Sequence, residues 1–275
     1  MKLPSPRALL EAAGLPASSH LGRVLHSEVE RLEALPPEPA RAAAASPRPA
    51  LEAALRREAR AGGAVIAEYK QGSPSLGPFA AGTSLEAQLL RYQEGGAAAF
   101  SILVEPAYFM GSAADLRRAA SLGVPCLYKG FVLGEQQLDE AQDCGASGVL
   151  LIARVLREHC AAFARAARER GLEPLVELHD LTEIGFAQEA EASLVGINAR
   201  DLSTFTLGSP TAAPLREAFP SALLVRESGL ATPEDALASF EAGFDAVLVG
   251  EALMRSPDPA GFLRRIAMGR GKVAP

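Results

Sequence analysis

The feature of this sequence that most limits its possible folds is a short apolar run that recurs eight times from Ala64 onward. Each run is followed by a polar or glycine-rich turn and then by a longer amphipathic stretch, which is typical of β-α units in a parallel sheet. The spacing between successive runs leaves room for one helix and two loops each time. The runs are 64–67, 99–104, 124–127, 148–152, 174–176, 194–197, 222–225 and 246–249.

Eight β-α units predict an α/β fold, a (β/α)8 TIM barrel. The segments between the runs carry helix signals: 85–92 is amphipathic, and at 232–235 a threonine cap precedes a first-turn proline and two acidic residues. A doubly wound open sheet alternates strands and helices in the same way, so the pattern alone leaves it open. Eight repeats, and no Gly-x-Gly-x-x-Gly motif after the first run, favour closure into a barrel.

The segment before the first run has a different composition, rich in Ala, Glu, Arg and Pro. Its apolar residues recur at helical spacing between Leu21 and Leu32. We therefore expect residues 1–60 to form a helical extension packed on a barrel of residues 61–275, the two making one structural domain. A chain of 275 residues, 48% of them hydrophobic, has enough apolar material for such a core.

Charge and cysteine usage exclude several classes of partner and site. The net charge is −6, and no block of consecutive Lys and Arg is available to follow a phosphate backbone, so we expect no nucleic-acid partner. Cys126, Cys144 and Cys160 lack CxxC spacing, which indicates buried thiols and no metal site. The chain has neither a signal-peptide core nor a run long enough to cross a membrane, so we expect a cytoplasmic protein without membrane contact.

Polar side chains follow most of the predicted strands, where catalytic groups of such barrels lie. Singly, each could be only a solvated loop residue, but together they predict a polar cup at the barrel mouth. Residues two apart on a strand share a face, so Glu68 can point with Lys70, and Asn198 with Arg200. The set is Glu68, Lys70, Glu105, Lys129, Glu177, Asn198, Arg200, Glu227 and Ser228.

The basic members of this cup predict a small anionic ligand. An acidic chain that places Lys70, Lys129 and Arg200 at one mouth is suited to bind an anion there, and neighbouring carboxylates can then act as bases. Phosphate is the expected anion, because barrels often bind it at the loops after strands seven and eight.

Glycines after the last two strands fit a phosphate site. Gly229 and Gly250 lack side chains that would block backbone amides from an oxyanion. Alone they are weak signals, since Gly250 also suits an ordinary strand-to-helix turn and 73–75 an ordinary loop.

Several sequence blocks, in order and at barrel-compatible spacing, resemble the indole-3-glycerol-phosphate synthase family. The resemblance runs from about residue 64 to residue 256, and the N-terminal segment resembles the family's extra helix over the barrel mouth. The blocks are Ile66-Ala67-Glu68-Tyr69-Lys70 with Ser73-Pro74-Ser75, Glu105-Pro106 with Tyr108-Phe109 and Gly111-Ser112, Lys129 with Phe131, Leu175-Val176-Glu177-Leu178-His179, Gly196-Ile197-Asn198 with Arg200-Asp201-Leu202, Glu227-Ser228-Gly229, and Val249-Gly250-Glu251-Ala252-Leu253-Met254-Arg255.

The resemblance implies a carboxy-lyase of tryptophan biosynthesis. Its substrate would be a small anionic phosphosugar, 1-(o-carboxyphenylamino)-1-deoxyribulose 5-phosphate, which closes to indole-3-glycerol phosphate with loss of carbon dioxide and water and without a cofactor or metal. We expect a monomer, and association with other enzymes of the pathway stays open.

The resemblance also implies roles for individual residues. Lys129 would be the acid of ring closure, Lys70 the acid of dehydration and a ligand of the substrate carboxylate, and Glu177 the base. The remaining implied set comprises Glu68 and Asn198 for the hydroxyl groups, Arg200 and Glu227 as orienting partners, Ser228 in the catalytic group, Ser73, Gly229, Gly250 and Glu251 for phosphate, and Pro74 and Phe131 beside the anthranilate ring.

Four positions depart from the family pattern: Tyr128, Gly130, Ala199 and Arg226. Each lies one step from a proposed catalytic residue, so strand alternation predicts that they turn away from the cup. The departures leave open a lower activity or an altered substrate. Two other interpretations remain, namely another phosphosugar isomerase or lyase, and a non-catalytic binding relative.

Overall fold

Eight parallel strands of this chain close into a single barrel. The computed structural model describes residues 3–34, 48–73, 77–78, 83–200, 208 and 210–270. Each strand pairs with the next along the chain and the last pairs with the first, so the predicted (β/α)8 barrel is confirmed. The strands are β1 (Ala64–Tyr69), β2 (Ala99–Leu103), β3 (Cys126–Lys129), β4 (Gly148–Ile152), β5 (Glu173–Leu178), β6 (Leu194–Asn198), β7 (Leu223–Glu227) and β8 (Ala246–Val249).

Helices connect the strands and cover the outside of the barrel. In the described part of the chain they are α1 (Pro6–Ala13), α2 (His20–Ala34), α3 (Leu51–Arg60), α4 (Leu85–Glu94), α5 (Ala113–Ala120), α6 (Glu135–Asp143), α7 (Ala153–Leu156), α8 (Cys160–Glu169), α9 (Ile184–Glu189), α10 (Ala213–Ala218), α11 (Pro233–Glu241), α12 (Glu251–Arg255) and α13 (Pro259–Arg270). The predicted cap at α11 is confirmed, because the Thr232 side chain accepts from the backbone N–H of Asp235 and the Asp235 carboxylate accepts from that of Thr232.

Strand register decides which residues face the barrel interior. Glu68 lies beside Ser101, Ser101 beside Leu127 and Leu127 beside Gly148, so these residues lie on the same, inward side of the sheet. Residues one step away face the helices instead. Tyr128 shows this, since it is fully buried and its hydroxyl donates to Glu140 of α6 at 2.8 Å. The inward residues near the carboxyl ends of the strands therefore form the mouth of the barrel.

The N-terminal helices contact the barrel at both of its ends. In α2, the predicted apolar residues are buried in the same hydrophobic cluster as the barrel strands. Helix α3 packs at the opposite end, where Leu51 is fully buried beside Gly148 at the start of β4 and the Arg56 side chain donates to the carbonyl of Ser221. The helical nature of the extension is confirmed, and its boundary at residue 60 stays a prediction.

The described chain contains no helix that is both long and apolar enough to cross a membrane. Its three cysteines are buried free thiols, as predicted. Among the described residues, no group of three or more His, Cys, Asp and Glu side chains is arranged to hold a metal ion.

Candidate active site

A cavity of about 670 Å³ opens at the carboxyl ends of the strands. The predicted site residues converge on it from all over the barrel sequence: it is lined by Glu68, Lys70, Lys129, Phe131, Glu177, Asn198, Arg200, Glu227, Ser228, Gly229, Gly250 and Glu251. Two predicted members cannot be placed in this way. Pro74 and the side chain of Ser73 lie outside the described part of the structure.

The centre of the cavity floor is a lysine bound to two buried carboxylates. The Lys129 ammonium, at the end of β3, lies 3.2 Å from Oε2 of Glu177 on β5 and also contacts Oε2 of Glu227 on β7. Both glutamate side chains are almost fully buried, at 2% and 1% exposure. Inward side chains of three alternate strands, β3, β5 and β7, thus form one hydrogen-bonded group.

Burial and mutual attraction set the protonation of this group. Burial by itself would lower the pKa of Lys129, but the carboxylates of Glu227, Glu177 and Glu68 outweigh it and hold that pKa well above its usual value. Burial would likewise raise the pKa of Glu177, yet the charge of Lys129 is the main effect that holds it well below the usual range. These pKa shifts favour a charged Lys129 beside an ionised Glu177.

Glu227 has the opposite tendency. Burial raises the pKa of Glu227. The positive charge of Lys129 offsets this effect only in part, and the negative charge of Glu177 adds to it. Among the described residues, Oε1 of Glu227 has no hydrogen-bond partner, whereas Glu177 accepts from both Lys129 and Asn198. When the two carboxylates share one proton, Glu227 is consequently the one that carries it.

A second lysine–carboxylate pair follows strand β1. The Lys70 ammonium lies 3.0 Å from Oε1 of Glu68, and both side chains are largely buried. The chain makes room for this carboxylate by placing glycine at the end of β8, since a Cβ at Gly250 would overlap Oε1 of Glu68. Gly196 does the same for Oε1 of Glu227. The sequence predicts Gly250 as a phosphate residue but indicates no such role for Gly196, because the neighbouring side chain that fills the space beside Gly196 is known only from the fold.

The residues after β6 and β7 shape the rim of the cavity. Asn198 donates from Nδ2 to Glu177 at 3.3 Å and accepts from the backbone N–H of Arg200 at 3.0 Å, so it ties the β6 loop to the catalytic floor. Ser228 and Gly229 follow β7 with φ angles of 65° and 72°. A left-handed serine is uncommon and costly, and such strain is concentrated at functional sites.

The apolar wall of the cavity includes part of α2, which was predicted as a helix packed on the barrel. The Phe131 and Phe109 rings lie 6.2 Å apart, and Leu21 and Val24 of α2 line the same cavity. The helical spacing of these α2 residues indicated burial correctly. It could not show that the buried face also borders a ligand cavity.

Glu105 is a predicted cup residue that the structure places elsewhere. It does not line the cavity, and its buried carboxylate accepts from the backbone N–H groups of Ala107, Tyr108 and Phe109 at 2.9, 2.8 and 3.0 Å. The expectation that Glu105 belongs to the cup was therefore wrong. Its position after a strand suits a cup residue, but its oxygens hold the turn that presents Phe109.

The departures at positions 128 and 226 lie on the outward face, as alternation predicted. Tyr128 binds Glu140, and Arg226 donates to the hydroxyl of Ser239 on α11 at 3.1 Å. At Gly130 a Cβ would lie 2.8 Å from Val104 and 3.1 Å from the Tyr128 ring. The departures at positions 128 and 130 are therefore in contact with each other. Ala199 is buried. Of the four positions, Gly130 borders the cavity, and as a glycine it does so only through its backbone.

Comparison with known proteins identifies a single family. The family model described as indole-3-glycerol phosphate synthase matches residues 23–266. The indole-3-glycerol phosphate synthase of Exiguobacterium sp. is 41% identical over 206 residues, covering 74% of this chain and 81% of that protein. The corresponding protein of Listeria monocytogenes serovar 1/2a is 42% identical over 198 residues, covering 71% and 78%. That of Syntrophobacter fumaroxidans is 39% identical over 229 residues, covering 82% and 86%.

Solved structures with a similar backbone include more distant proteins. Thiamine phosphate pyrophosphorylase from Pyrococcus furiosus superposes with a TM-score of 0.56 at 16% identity, covering 79% of this chain and 100% of that one. A structure titled native KDPGal gives a TM-score of 0.55 at 17% identity, with coverage of 76% and 95%. At such low identity these likenesses show the barrel fold alone.

Proposed function

Because this chain belongs to the indole-3-glycerol phosphate synthase family, we propose that the cavity at the barrel mouth performs the family's reaction with the residues that line it. The protein is a carboxy-lyase of tryptophan biosynthesis that forms indole-3-glycerol phosphate from 1-(o-carboxyphenylamino)-1-deoxyribulose 5-phosphate. The observation that carries the assignment of the site is the pair of lysine–carboxylate groups, Lys129 with Glu177 and Glu227, and Lys70 with Glu68, in one cavity.

Ring closure requires a proton donor at the ketose oxygen. The aromatic carbon that bears the carboxylate attacks the carbonyl carbon, a carbon–carbon bond forms, and the carbonyl oxygen becomes a hydroxyl group. Lys129 donates that proton, because it is charged, largely buried and presented at the centre of the cavity. A fixed cation in a water-poor cavity also stabilises the developing negative charge on oxygen.

Decarboxylation and dehydration follow at the same carbons. The bond to the carboxylate breaks, carbon dioxide leaves, and its electron pair restores the aromatic ring. Lys70 first pairs with the substrate carboxylate and then protonates the departing hydroxyl group, while Glu177 removes the proton whose loss completes the indole double bond. Glu177 suits a base because it accepts from Lys129 and Asn198, and the charge of Lys129 helps to keep it ionised.

The remaining polar residues orient the sugar and the phosphate. Glu68 and Asn198 bind substrate hydroxyl groups, Arg200 and Glu227 align the reacting chain, and Ser228 lies beside them at the strained turn after β7. Backbone N–H groups of Gly229, Gly250 and Glu251, together with Ser73, bind the phosphate. Phe131 packs against the anthranilate ring, and Pro74 belongs to the same wall.

The test is to incubate the purified protein with 1-(o-carboxyphenylamino)-1-deoxyribulose 5-phosphate and to follow the appearance of indole absorbance and fluorescence. We expect turnover. Tight binding without product would instead indicate a non-catalytic relative, and neither binding nor turnover would indicate a different phosphosugar. We further propose that the enzyme acts in the cytoplasm as a monomer, which gel filtration at several concentrations tests.

Helix α2 joins the site through one buried carboxylate. Glu28 is 3% exposed and accepts from Arg31 at 2.6 Å and from Gln137 of α6 at 2.7 Å. Gln137 in turn accepts from the backbone N–H of Leu133 at 2.6 Å and donates to the carbonyl of Phe131 at 2.7 Å. The loop that follows Lys129 is thus held by α6 and α2 together, and we propose that the extension is part of the same structural unit as the barrel.

Glu28→Ala should loosen this loop. The substitution leaves the Gln137 amide and the Arg31 guanidinium without their buried acceptor, so we expect a loss of about 2 kcal/mol in the free energy of unfolding. KM should rise severalfold, because Phe131 belongs to this loop and is no longer held in place. Glu30→Ala, at an exposed position of the same helix, is the matched control. Equal KM and stability in the two variants would show that α2 does not support the site.

A further inference from the structure

We infer that Glu227 stores the proton that recharges Lys129 after ring closure, and that it acts on the substrate through this lysine. The inference rests on the proposed function of the cavity and gives Glu227 a task beyond orienting the reacting chain. Once Lys129 has given its proton to the ketose oxygen, it is neutral and must regain a proton before another substrate can react. A buried acid in direct contact with the amine is the nearest source of that proton.

The contacts of Lys129 join three side chains that can exchange protons. The Glu227 side chain is 1% exposed, and its Oε2 contacts the Lys129 ammonium. The carboxylate of Glu177 reaches the same ammonium through its own Oε2, at 3.2 Å. A proton can therefore pass among the lysine and the two carboxyl groups through direct contacts.

The surroundings of Glu227 favour its neutral form. Among the residues that the structure describes, Oε1 of Glu227 has no hydrogen-bond partner. This oxygen occupies the space beside Gly196, where a Cβ would overlap it. An ionised carboxylate with one oxygen buried and unpartnered is costly, and protonation removes most of that cost. Glu177 differs, because it accepts from both Lys129 and Asn198.

The charged groups with the largest effect on Glu227 come from two other strands. Burial raises the pKa of Glu227, the charge of Lys129 on β3 opposes that effect, and the charge of Glu177 on β5 adds to it. The result is a pKa of about 8, so Glu227 is protonated at neutral pH. The pKa of Lys129 is higher still, because the carboxylates of Glu227, Glu177 and Glu68 on β1 outweigh its burial. A neutral Lys129 thus takes the proton of Glu227 readily.

The proton balance of the reaction closes within this group. In ring closure Lys129 gives one proton to the ketose oxygen, and Glu227 then gives its own to the neutral lysine. In dehydration Glu177 takes one proton from carbon as the indole double bond forms. Transfer of that proton from Glu177 to Glu227, which binds it more strongly, restores the starting state. The reaction as a whole consumes one proton, because a carboxylate leaves as carbon dioxide, and that proton enters through Lys70.

Glu227→Gln tests the storage of the proton. Glutamine keeps the size of the side chain and an oxygen for Lys129, but it has no acidic proton to give. In the wild type, the single-turnover rate of indole formation should fall as the pH rises through about 8, because Glu227 loses its proton there while Lys129 keeps its own. In the variant we expect a rate about tenfold lower at pH 7 and no such alkaline limb.

Glu183→Gln is the matched control. Glu183 is a buried carboxylate outside the cavity, 6% exposed and paired with Arg154 at 2.8 Å. We expect this variant to keep the rate and the alkaline limb even if its thermal stability falls. An alkaline limb that persists in Glu227→Gln would overturn the inference, since a residue that only orients the substrate lowers the rate equally at every pH. Loss of the limb in both variants would overturn it as well.

Infrared spectroscopy of the wild-type protein gives a readout that needs neither turnover nor a folded variant. Exposed carboxyl groups are ionised at pH 7, so the C=O stretching band of a carboxylic acid reports a buried neutral one. We expect such a band, lost as the pH rises through about 8 and missing in Glu227→Gln. No band in the wild type at pH 7, or one that survives in the variant, contradicts the inference. Absence of wild-type turnover would refute the proposed function instead, and the band would still decide whether Glu227 holds a proton beside Lys129.

Discussion

Lys129→Met should lower kcat by about a thousandfold while the protein remains folded. Methionine has a similar length and no charge, so the variant removes the proposed proton donor of ring closure, which is also the cation proposed to stabilise the ketose oxygen. It also leaves the buried carboxylates of Glu177 and Glu227 without their shared partner. The pKa of each then rises, so at least one takes up a proton and the base is weakened as well.

The measurement is kcat for indole formation at saturating substrate, with thermal unfolding as a check on the fold. Arg226→Met is the matched control, because Arg226 is a basic residue in a barrel strand whose side chain binds Ser239 on the helical side. We expect this control to keep kcat near the wild-type value. Wild-type turnover in Lys129→Met would remove Lys129 from the mechanism.

Glu177→Gln should lower kcat by about a hundredfold or more. Glutamine keeps the size of the side chain and an oxygen acceptor for Lys129 and Asn198, but it cannot accept the proton released on dehydration. KM should change much less than kcat, because the substituted group acts on the bond-forming and bond-breaking steps and the shape of the cavity is kept. Single-turnover kinetics would show whether the affected step follows carbon dioxide release.

Glu173→Gln is the control that tests whether the loss of kcat in Glu177→Gln arises in the cavity. Glu173 lies on the same strand and the same inward side as Glu177 but at the opposite end, where it accepts from the backbone N–H of Glu52. We expect this variant to keep kcat even if its stability changes. An equal loss in the two variants would mean that Glu177 acts through the integrity of β5 and is not the base.

The site depends on space as much as on charge. The carboxylates of Glu68 and Glu227 occupy volume that side chains at Gly250 and Gly196 would fill. The carboxylates can therefore be buried close to their lysines, which strengthens the ion pairs because little water screens them. The strand pattern placed Gly250 at the site but could not show that either glycine makes room for a carboxylate, since each carboxylate belongs to a neighbouring strand.

The scarcity of lysine is a second sequence signal for the site, independent of strand position. The chain has 27 Lys and Arg residues, but lysine occurs only at positions 2, 70, 129 and 272. Two of these four line the cavity. Arginine stays protonated in proteins, whereas lysine can give up a proton when its surroundings change. In a chain that otherwise prefers arginine, a strand-end lysine therefore indicates proton transfer.

Strand alternation explains why the predictions for Tyr128 and Arg226 were right and why the prediction for Glu105 was wrong. The alternation that turns Tyr128 and Arg226 outward is a property of any β-strand, and it could be read from the chain. Glu105 was predicted to belong to the cup because it follows a strand, and that prediction was wrong. Its carboxylate is taken up by three backbone N–H groups of the following turn, a result of loop conformation that strand periodicity does not contain.

The sequence by itself determined the barrel, the inward side of each strand and, with the exception of Glu105, the polar residues that meet at its mouth. These follow from apolar periodicity and from the rule that parallel strands end on the same edge, both of which depend on short stretches of chain. The tertiary structure alone decided which of these residues pair. Lys129 lies between carboxylates that are 48 and 98 residues away in the sequence. Protonation states depend on distances and burial that arise only when the barrel closes.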